Sequence, residues 1–374
     1  MHQTPTCHLV ESKLTVLTNK NIKDMKIRRL NILFISAIAI ASLLAACDTT
    51  DHEDTLANWK WDRTETNPDI ISQGWVNVDS MYGDFPAYIN IYKSPVKIDN
   101  DSVIAYIAVA DMSRATFGVT GDVHWDDKAQ GNGNSKIFTP TEFYNNNGSP
   151  LVVINGGLFF ESSGFYYSQS SVYKDGKMLS PNQNYYSEDW TNFWYPTIGF
   201  FYQKKDGTFE ATWTYYANDG IDYSYASCKA IDKNTPETTA PDATHPSAGT
   251  PMNDGTAVNG IGGVSVLLHN GAVMNTWKDE MLDVSADSNQ PRTAIGYDKT
   301  NNKLFFFVCE GRLMTPGVKG LTTAKVADIL KALGCTEALN LDGGGSSCMI
   351  VNGKETIKPS DGNERSVLDA CYIK

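Results

Sequence analysis

Along most of the chain, apolar residues come in short runs rich in β-branched and aromatic side chains, separated by Gly-, Asn-, Asp- and Pro-bearing punctuation. Such runs read as strands. They occupy 87–93 (AYINIYK), 103–110 (VIAYIAVA), 151–154 (LVVI), 197–203 (TIGFFYQ), 208–216 (TFEATWTYY), 263–268 (GVSVLL), 292–298 (RTAIGYD) and 303–310 (KLFFFVCE). Only two segments carry the helical period. In 139–148, Thr139 stands as a cap and Pro140 at the first helical position, which predicts a short helix before the 151–154 strand. In 321–334, Val326, Ile329, Leu330 and Leu333 fall at i, i+3, i+4 and i+7, with Thr322 or Thr323 as cap and Gly334 as stop. The expected fold class is α+β, a predominantly mixed β-sheet core with a few packed helices.

The N-terminal pattern is of another kind. Lys26, Arg28 and Arg29 precede an apolar stretch from Ile32 to Ala46 that ends in Leu44, Ala45, Ala46 and Cys47. That layout is a secretory signal, shorter than the ~20 residues of a membrane span, and Leu-Ala-Ala-Cys resembles the bacterial lipobox. The expected organisation is therefore a mis-assigned start over 1–24, a lipoprotein signal peptide over 25–46, lipidation at Cys47, an acidic tether over 47–74 and one domain over 75–374. Within that domain, 232–255 is rich in Thr, Pro, Asp and Gly and reads as a long surface loop. The expected location is the cell envelope, lipid-anchored to the outer membrane on its periplasmic or surface face.

Charge narrows the partners. The full chain carries −12, and removal of residues 1–46 deletes six basic and two acidic side chains to leave −16. A chain of that sign does not bind nucleic acid through bulk charge, and any phosphate must be held by a local site. The five cysteines beyond Cys47 are Cys228, Cys309, Cys335, Cys348 and Cys371, with no C-x-x-C spacing, and read as buried thiols without a disulfide framework. His52, His124, His245 and His269 are too scattered for a catalytic zinc site. No cofactor is expected, and the metal requirement stays open, a carboxylate-bound divalent ion such as calcium being compatible with the composition.

One stretch has more punctuation than a turn needs: ALNLDGGGSSCMIVNG, 338–353. It lacks the G-x-S-x-G of a serine hydrolase, because Cys348 takes the place of the last glycine, and it lacks the lysine of a P-loop. It offers Asp342 at a strand end, then Gly343, Gly344 and Gly345, whose N–H groups could converge into an anion-binding nest, with Ser346 and Ser347 adding hydroxyls. A plain glycine-rich hairpin is the competing reading of this motif. Other strand ends gather similar chemistry: Asn155, Gly156 and Gly157 with Glu161 beyond them, Arg292, and Glu310 with Gly311 and Arg312. The Tyr- and Trp-dense segments 165–173 and 184–196 suit either core packing or stacking on sugar rings.

INGGLFF, PRTAIG, VCEGR, GLTTAKVADILKALGC, ALNLDGGGSSCMIVNG and SDGNERSVLDA follow one another in an order that resembles the phosphodiester glycosidase family. The resemblance covers roughly 103–374, with Cys348 and Glu310 as departures from the expected residue types. It implies hydrolysis of the bond between a sugar anomeric carbon and an esterified phosphate, on a phosphorylated glycan or sugar-1-phosphodiester of the envelope. It implies Asp342 as the leading catalytic carboxylate, with Glu161 and Glu310 as candidates for a second. Arg292 becomes the expected phosphate clamp together with the Gly343–Ser347 turn, and Asn155, Gly156, Gly157 and Arg365 become substrate-binding candidates. A rival from another class is a glycan-binding surface lipoprotein that keeps the fold without turnover.

Overall fold

The computed structural model describes residues 67–84, 86–124, 135–183, 185–187, 191, 193–217, 219–228, 249–252 and 255–374, within one compact unit, Glu65–Lys374. Three larger sheets organise it. The first has eight strands, in the order Val76–Asn77, Ile89–Lys93, Ala105–Asp111, Lys303–Cys309, Arg292–Asp298, Glu337–Asn340, Val266–His269 and Ala272–Val273. The second has seven, in the order Lys177–Ser180, Val172–Lys174, Gly260–Gly263, Ile198–Gln203, Phe209–Tyr216, Asp222–Tyr225 and Thr250–Pro251. The third has five, in the order Lys354–Glu355, Met349–Val351, Val152–Asn155, Asp369–Ile373 and Phe117–Gly121.

Alternation along the central strands of the eight-stranded sheet explains why they look continuously apolar. From Ala105–Asp111, Ala105, Ile107 and Val109 join one core cluster, while Tyr106, Ala108 and Ala110 join another. From Lys303–Cys309, Phe305, Phe307 and Cys309 go to the first and Leu304, Phe306 and Val308 to the second. A sheet covered on both faces needs apolar residues at every position. One cover is the helix Thr323–Ala332, whose Val326, Ala327, Ile329 and Leu330 lie in the first cluster. The second cluster holds side chains from the other two sheets, Trp213 and Phe209 from one and Ile154, Met349 and Cys371 from the other. Each phenylalanine buried there contributes about 2–3 kcal/mol.

The helix ends follow the sequence signals. Thr322 caps Thr323–Ala332 by accepting from Lys325 N–H at 3.2 Å, and Gly334 takes the left-handed φ of 97° that stops it. Thr139 and Glu142 form a capping box on Pro140–Asn146.

Three expectations change. The strands dominate as expected, but every pairing among the described residues is antiparallel rather than mixed. The stretch assigned to the tether carries the helix Pro68–Ser72, begun by its proline, and buries Ile70 beside Trp75 in the core. Of the 232–255 loop only its end is described, where Thr250–Pro251 adds a strand beside Asp222–Tyr225 and Met252 is buried. Residues 1–66, including the signal pattern and Cys47, and residues 232–248 lie outside the described set. Cys309, Cys335, Cys348 and Cys371 are buried free thiols, and Cys228 is half-buried.

Candidate active site

The Asp342 loop leaves the strand Glu337–Asn340 and enters a 3-10 turn, Gly344–Ser346, before Met349–Val351 begins in a different sheet. It therefore crosses between sheets, and Asn155 at the end of Val152–Asn155 fastens it there. Asn155 is fully buried. Its amide nitrogen donates to Asp342 O at 2.8 Å, and its Oδ1 accepts from Cys348 N–H at 3.1 Å and from Thr293 Oγ1 at 2.7 Å. With its polar atoms so engaged, Asn155 builds the loop rather than presenting itself to a sugar.

The glycines after it serve a second carboxylate. Gly156 N–H donates to Asp369 O at 3.0 Å, and Gly157 N–H donates to Asp369 Oδ1 at 2.7 Å. A methyl group on Gly156 would lie 2.0 Å from Asp369 Oδ1, so only glycine permits this approach. Asp369 is 1% exposed, and its Oδ2 has no hydrogen-bond partner among the described residues. Gly156 O in turn accepts from Asp342 N–H at 3.1 Å, which sets the two aspartates on adjoining backbones.

Both carboxyls are shifted upward. Burial raises Asp342 to about 6, against the lowering effects of the Ser346 hydroxyl, the Arg365 charge and Gly343 N–H. Burial raises Asp369 to about 7, opposed by Gly157 N–H and reinforced by the negative charge of Asp342. Asp342 keeps part of its surface exposed while Asp369 lies beneath. Asp369 is thus the weaker acid of the two.

Cations arrive from above the turn. A methyl group on Gly344 would lie 2.7 Å from Arg312 Nη2, and one on Gly345 would lie 2.1 Å from Arg365 Nη2 and 2.1 Å from Asp361 Oδ2. The bare glycines thus let two guanidinium groups rest on the turn. Arg365 bonds Asp361 through Nε at 2.9 Å and through Nη2, and reaches Ser346 Oγ from Nη1 at 3.4 Å. Arg312 bonds Gln290 Oε1 at 3.0 Å and Ser360 Oγ at 3.3 Å, and stands 3.7 Å from Asp361 Oδ1. The two side chains remain 45% and 42% exposed, open to an anion.

The residues expected to act here divide. Asp342 and Arg365 meet at the turn, joined by Asp369 and Arg312, to which no role was given from sequence. Arg292 does not join them. Its guanidinium, 2% exposed, donates from Nε to Leu321 O at 3.0 Å, from Nη1 to Val284 O at 3.0 Å, and from Nη2 to Ser285 O at 2.6 Å and Ser288 O at 2.9 Å. It organises the 284–288 loop, and little of its donor capacity is left for phosphate.

Part of the expected nest of N–H groups is spent within the fold. Gly344 N–H donates to Pro291 O, Ser346 N–H to Gly343 O and Ser347 N–H to Gly344 O. Ser347 Oγ is buried without a partner among the described residues.

Glu161 sits on the hairpin of Phe159–Ser162 and Phe165–Ser168, where its Oε1 accepts from Gly164 N–H at 2.8 Å in the hairpin's own turn. Glu310 faces a different space: its Oε2 accepts from Lys358 N–H at 3.2 Å, and it lines a groove that includes neither Asp342 nor Asp369. The carboxylate whose charge acts on Asp369 is Asp342, not either of these. The aromatic segments are mixed, with Phe193, Trp194 and Tyr195 buried and Phe165 exposed on the hairpin, where Phe160 stacks on Tyr167 at 5.1 Å.

Among the described residues, Cys348, Glu355 and Glu364 are grouped closely enough to hold a metal ion. Burial pushes the Cys348 thiol well above its usual range, and Glu364 already accepts from Thr141 N–H and its hydroxyl. A buried thiol beside two carboxylates is not the oxygen cage that calcium takes.

A family model described as phosphodiester glycosidase matches residues 149–374, the span that contains Asn155, Asp342 and Asp369. N-acetylglucosamine-1-phosphodiester alpha-N-acetylglucosaminidase of Mus musculus is 30% identical over 114 residues, 27% of this chain and 21% of that protein. The SPbeta prophage-derived uncharacterized protein YomE of Bacillus subtilis (strain 168) is 37% identical over 102 residues, 27% of this chain and 14% of its own length. The chain therefore spans about a fifth or less of these curated relatives. A hypothetical protein from Synechocystis shares the fold at a TM-score of 0.51 and 14% identity, over 80% of this chain and 63% of that one.

Proposed function

The chain belongs to the phosphodiester glycosidase family, and from that premise we propose that it hydrolyses the bond between a sugar anomeric carbon and an esterified phosphate. The observation that carries this reading is the pairing of Asp342 and Asp369 beneath a glycine turn on which Arg312 and Arg365 rest. The mouse relative's name specifies a sugar-1-phosphodiester as its substrate, and the arrangement here has the parts that such a bond requires.

A phosphate monoester leaves as a stabilised anion, so departure needs cationic contacts more than a strong acid. Arg312 and Arg365 are placed to take the phosphate oxygens, the fork of each guanidinium matching a phosphate edge. Asp342, ionised and partly exposed, faces the sugar, where it stabilises an oxocarbenium-like centre or activates water. Asp369, the weaker acid, keeps its proton while Asp342 is the anion.

The site would act on a phosphorylated glycan at the cell envelope, to which the lipobox-like Cys47 would tether the domain. Release of free sugar from a panel of sugar-1-phosphodiesters tests the reading. Turnover lost in Asp342→Asn and in Arg312→Ala/Arg365→Ala, with the fold retained, is the expected result. Phosphorylated-glycan binding without any turnover, unchanged in Asp342→Asn, would replace hydrolysis with the binding-protein reading.

A further inference from the structure

Cys348 N–H is held by Asn155, the residue that also fastens Asp342, so the Cys348 side chain leaves from the loop that carries the proposed reaction site. Cys348 is 3% exposed, and its Sγ makes no hydrogen bond among the described residues. That Sγ, one carboxylate oxygen of Glu355 and one of Glu364 all lie within 4.8 Å of one another. Two acids drawn together beside a buried thiol repel unless a proton or a cation lies between them.

The donors select the metal. A thiolate disfavours calcium and magnesium and suits zinc. Tetrahedral zinc, with Zn–S of about 2.3 Å and Zn–O of about 2.0–2.2 Å, holds its ligand atoms roughly 3.5 Å apart. The group closes to that spacing by a shift that the exposed Glu355 side chain is free to make. Thr141 supports the site from outside: its N–H donates to Glu364 Oε2 at 2.9 Å and its hydroxyl to Glu364 Oε1 at 2.5 Å. Each carboxylate oxygen keeps a further lone pair, so these bonds orient Glu364 without exhausting it. Phe143, Val153 and Ile350 share the apolar cluster in which the thiol sits. No histidine enters, so the scattered histidines that argue against a catalytic zinc site do not bear on this one.

We propose that Cys348, Glu355 and Glu364 bind one zinc ion, which staples three separated pieces of chain. Cys348 comes from the Asp342 loop, Glu355 from the strand Lys354–Glu355, and Glu364 from the segment that delivers Asp361 and Arg365. Binding forms a Zn–S bond, and the thiol proton leaves to solvent. A fourth position remains for water. The ion fixes the segment bearing Arg365 against the loop bearing Asp342. The assignment stands apart from the phosphodiesterase reading, since it concerns how the loop is held and not which bond is cut.

The test titrates cobalt(II) and zinc(II) into the full chain after a chelator has stripped it of metal. Cobalt is expected to give a thiolate-to-cobalt charge-transfer band that about one equivalent of zinc displaces, and zinc to raise the thermal midpoint of the native chain. Cys348→Ala should lose both the band and the zinc-dependent shift. Glu355→Gln, at an exposed position, should weaken zinc binding by roughly tenfold or more, and Thr141→Val, which removes only the outer hydroxyl, by about 10–100-fold. Should Cys348→Ala fail to fold, these two variants decide the matter. No band in the native chain overturns the assignment. So does a band that persists in Cys348→Ala, or zinc binding unchanged in Glu355→Gln and Thr141→Val, either of which marks an adventitious ion only. Turnover of sugar-1-phosphodiesters, present or absent, alters none of these outcomes.

Discussion

Gly156 and Asp369 fit so closely that a methyl group at position 156 would fall 2.0 Å from Asp369 Oδ1. The same segment donates Gly156 N–H to Asp369 O and Gly157 N–H to Asp369 Oδ1. The carboxylate is held by the backbone of a neighbouring strand end, and its place depends on an absent side chain. Gly156→Ala is expected to push Asp369 aside, at about 1–3 kcal/mol for the overpacking, with a disproportionate loss of turnover. Thermal melts beside initial rates separate the two effects.

The unequal carboxyl pair predicts a bell-shaped rate profile. Asp342 must lose its proton, near about 6, and Asp369 must keep its own, up to about 7. Activity should rise through the first value and fall beyond the second. Asp342→Asn should reduce kcat by roughly 10²–10⁴-fold. Asp369→Asn, which cannot ionise, should erase the alkaline limb. An unchanged alkaline limb in Asp369→Asn would exclude the pairing.

The three arginines should respond differently. Removing Arg365 or Arg312 deletes a charge-assisted contact worth about 1.5–3 kcal/mol, and should raise KM with little effect on the melt. Arg292→Ala should do the reverse, because it strands backbone carbonyls at Leu321, Val284, Ser285 and Ser288. A cost of about 3 kcal/mol or more is expected, read as a lower denaturation midpoint. A KM effect in Arg292→Ala with an unchanged midpoint would return it to the phosphate.

Other buried acids set the pH dependence of stability. Burial raises Glu280 to about 7, although its carboxylate accepts from Val266 N–H, Gly199 N–H and the Thr276 hydroxyl. Burial likewise raises Asp222 to about 7, opposed by Ser171 and Tyr173. A carboxyl whose folded pKa exceeds its unfolded value favours the fold below the unfolded pKa, and that contribution is lost as pH rises through the folded one. Unfolding free energy should therefore decline between about pH 4 and pH 7. Glu280→Gln should flatten that decline, whereas an unaltered slope would remove Glu280 as its cause.

Much of this protein was legible in its sequence because hydrophobic pattern and turn chemistry agree. The runs at 292–298 and 303–310 became neighbouring strands, and Thr322, Thr139 and Gly334 marked helix ends by the groups they satisfy or the φ they adopt. Asp342 stood out because three glycines follow it. Asp369 did not, since a single carboxylate in SVLDACYIK looks like one polar position on an edge strand, and its partners lie more than two hundred residues away. Its only local signal was polarity inside an otherwise apolar run. Arg292 misled for the opposite reason: a guanidinium at a strand start fits phosphate and backbone carbonyls equally, and only folding chose between them. The cysteine-poor, histidine-poor composition pointed away from zinc but could not locate a proton.

In the proposed reaction, Asp361 bears on the release of product. It lies against both Arg312 and Arg365, the two cations open to an incoming phosphate. A diester brings one negative charge, and cleavage turns it into a monoester with nearly two at neutral pH. Two bare guanidiniums would grip that product more tightly than the substrate. In the proposed reaction, the Asp361 carboxylate already beside both guanidiniums would compete with each departing anion. On the proposed reading, the residue that weakens capture would also hasten escape.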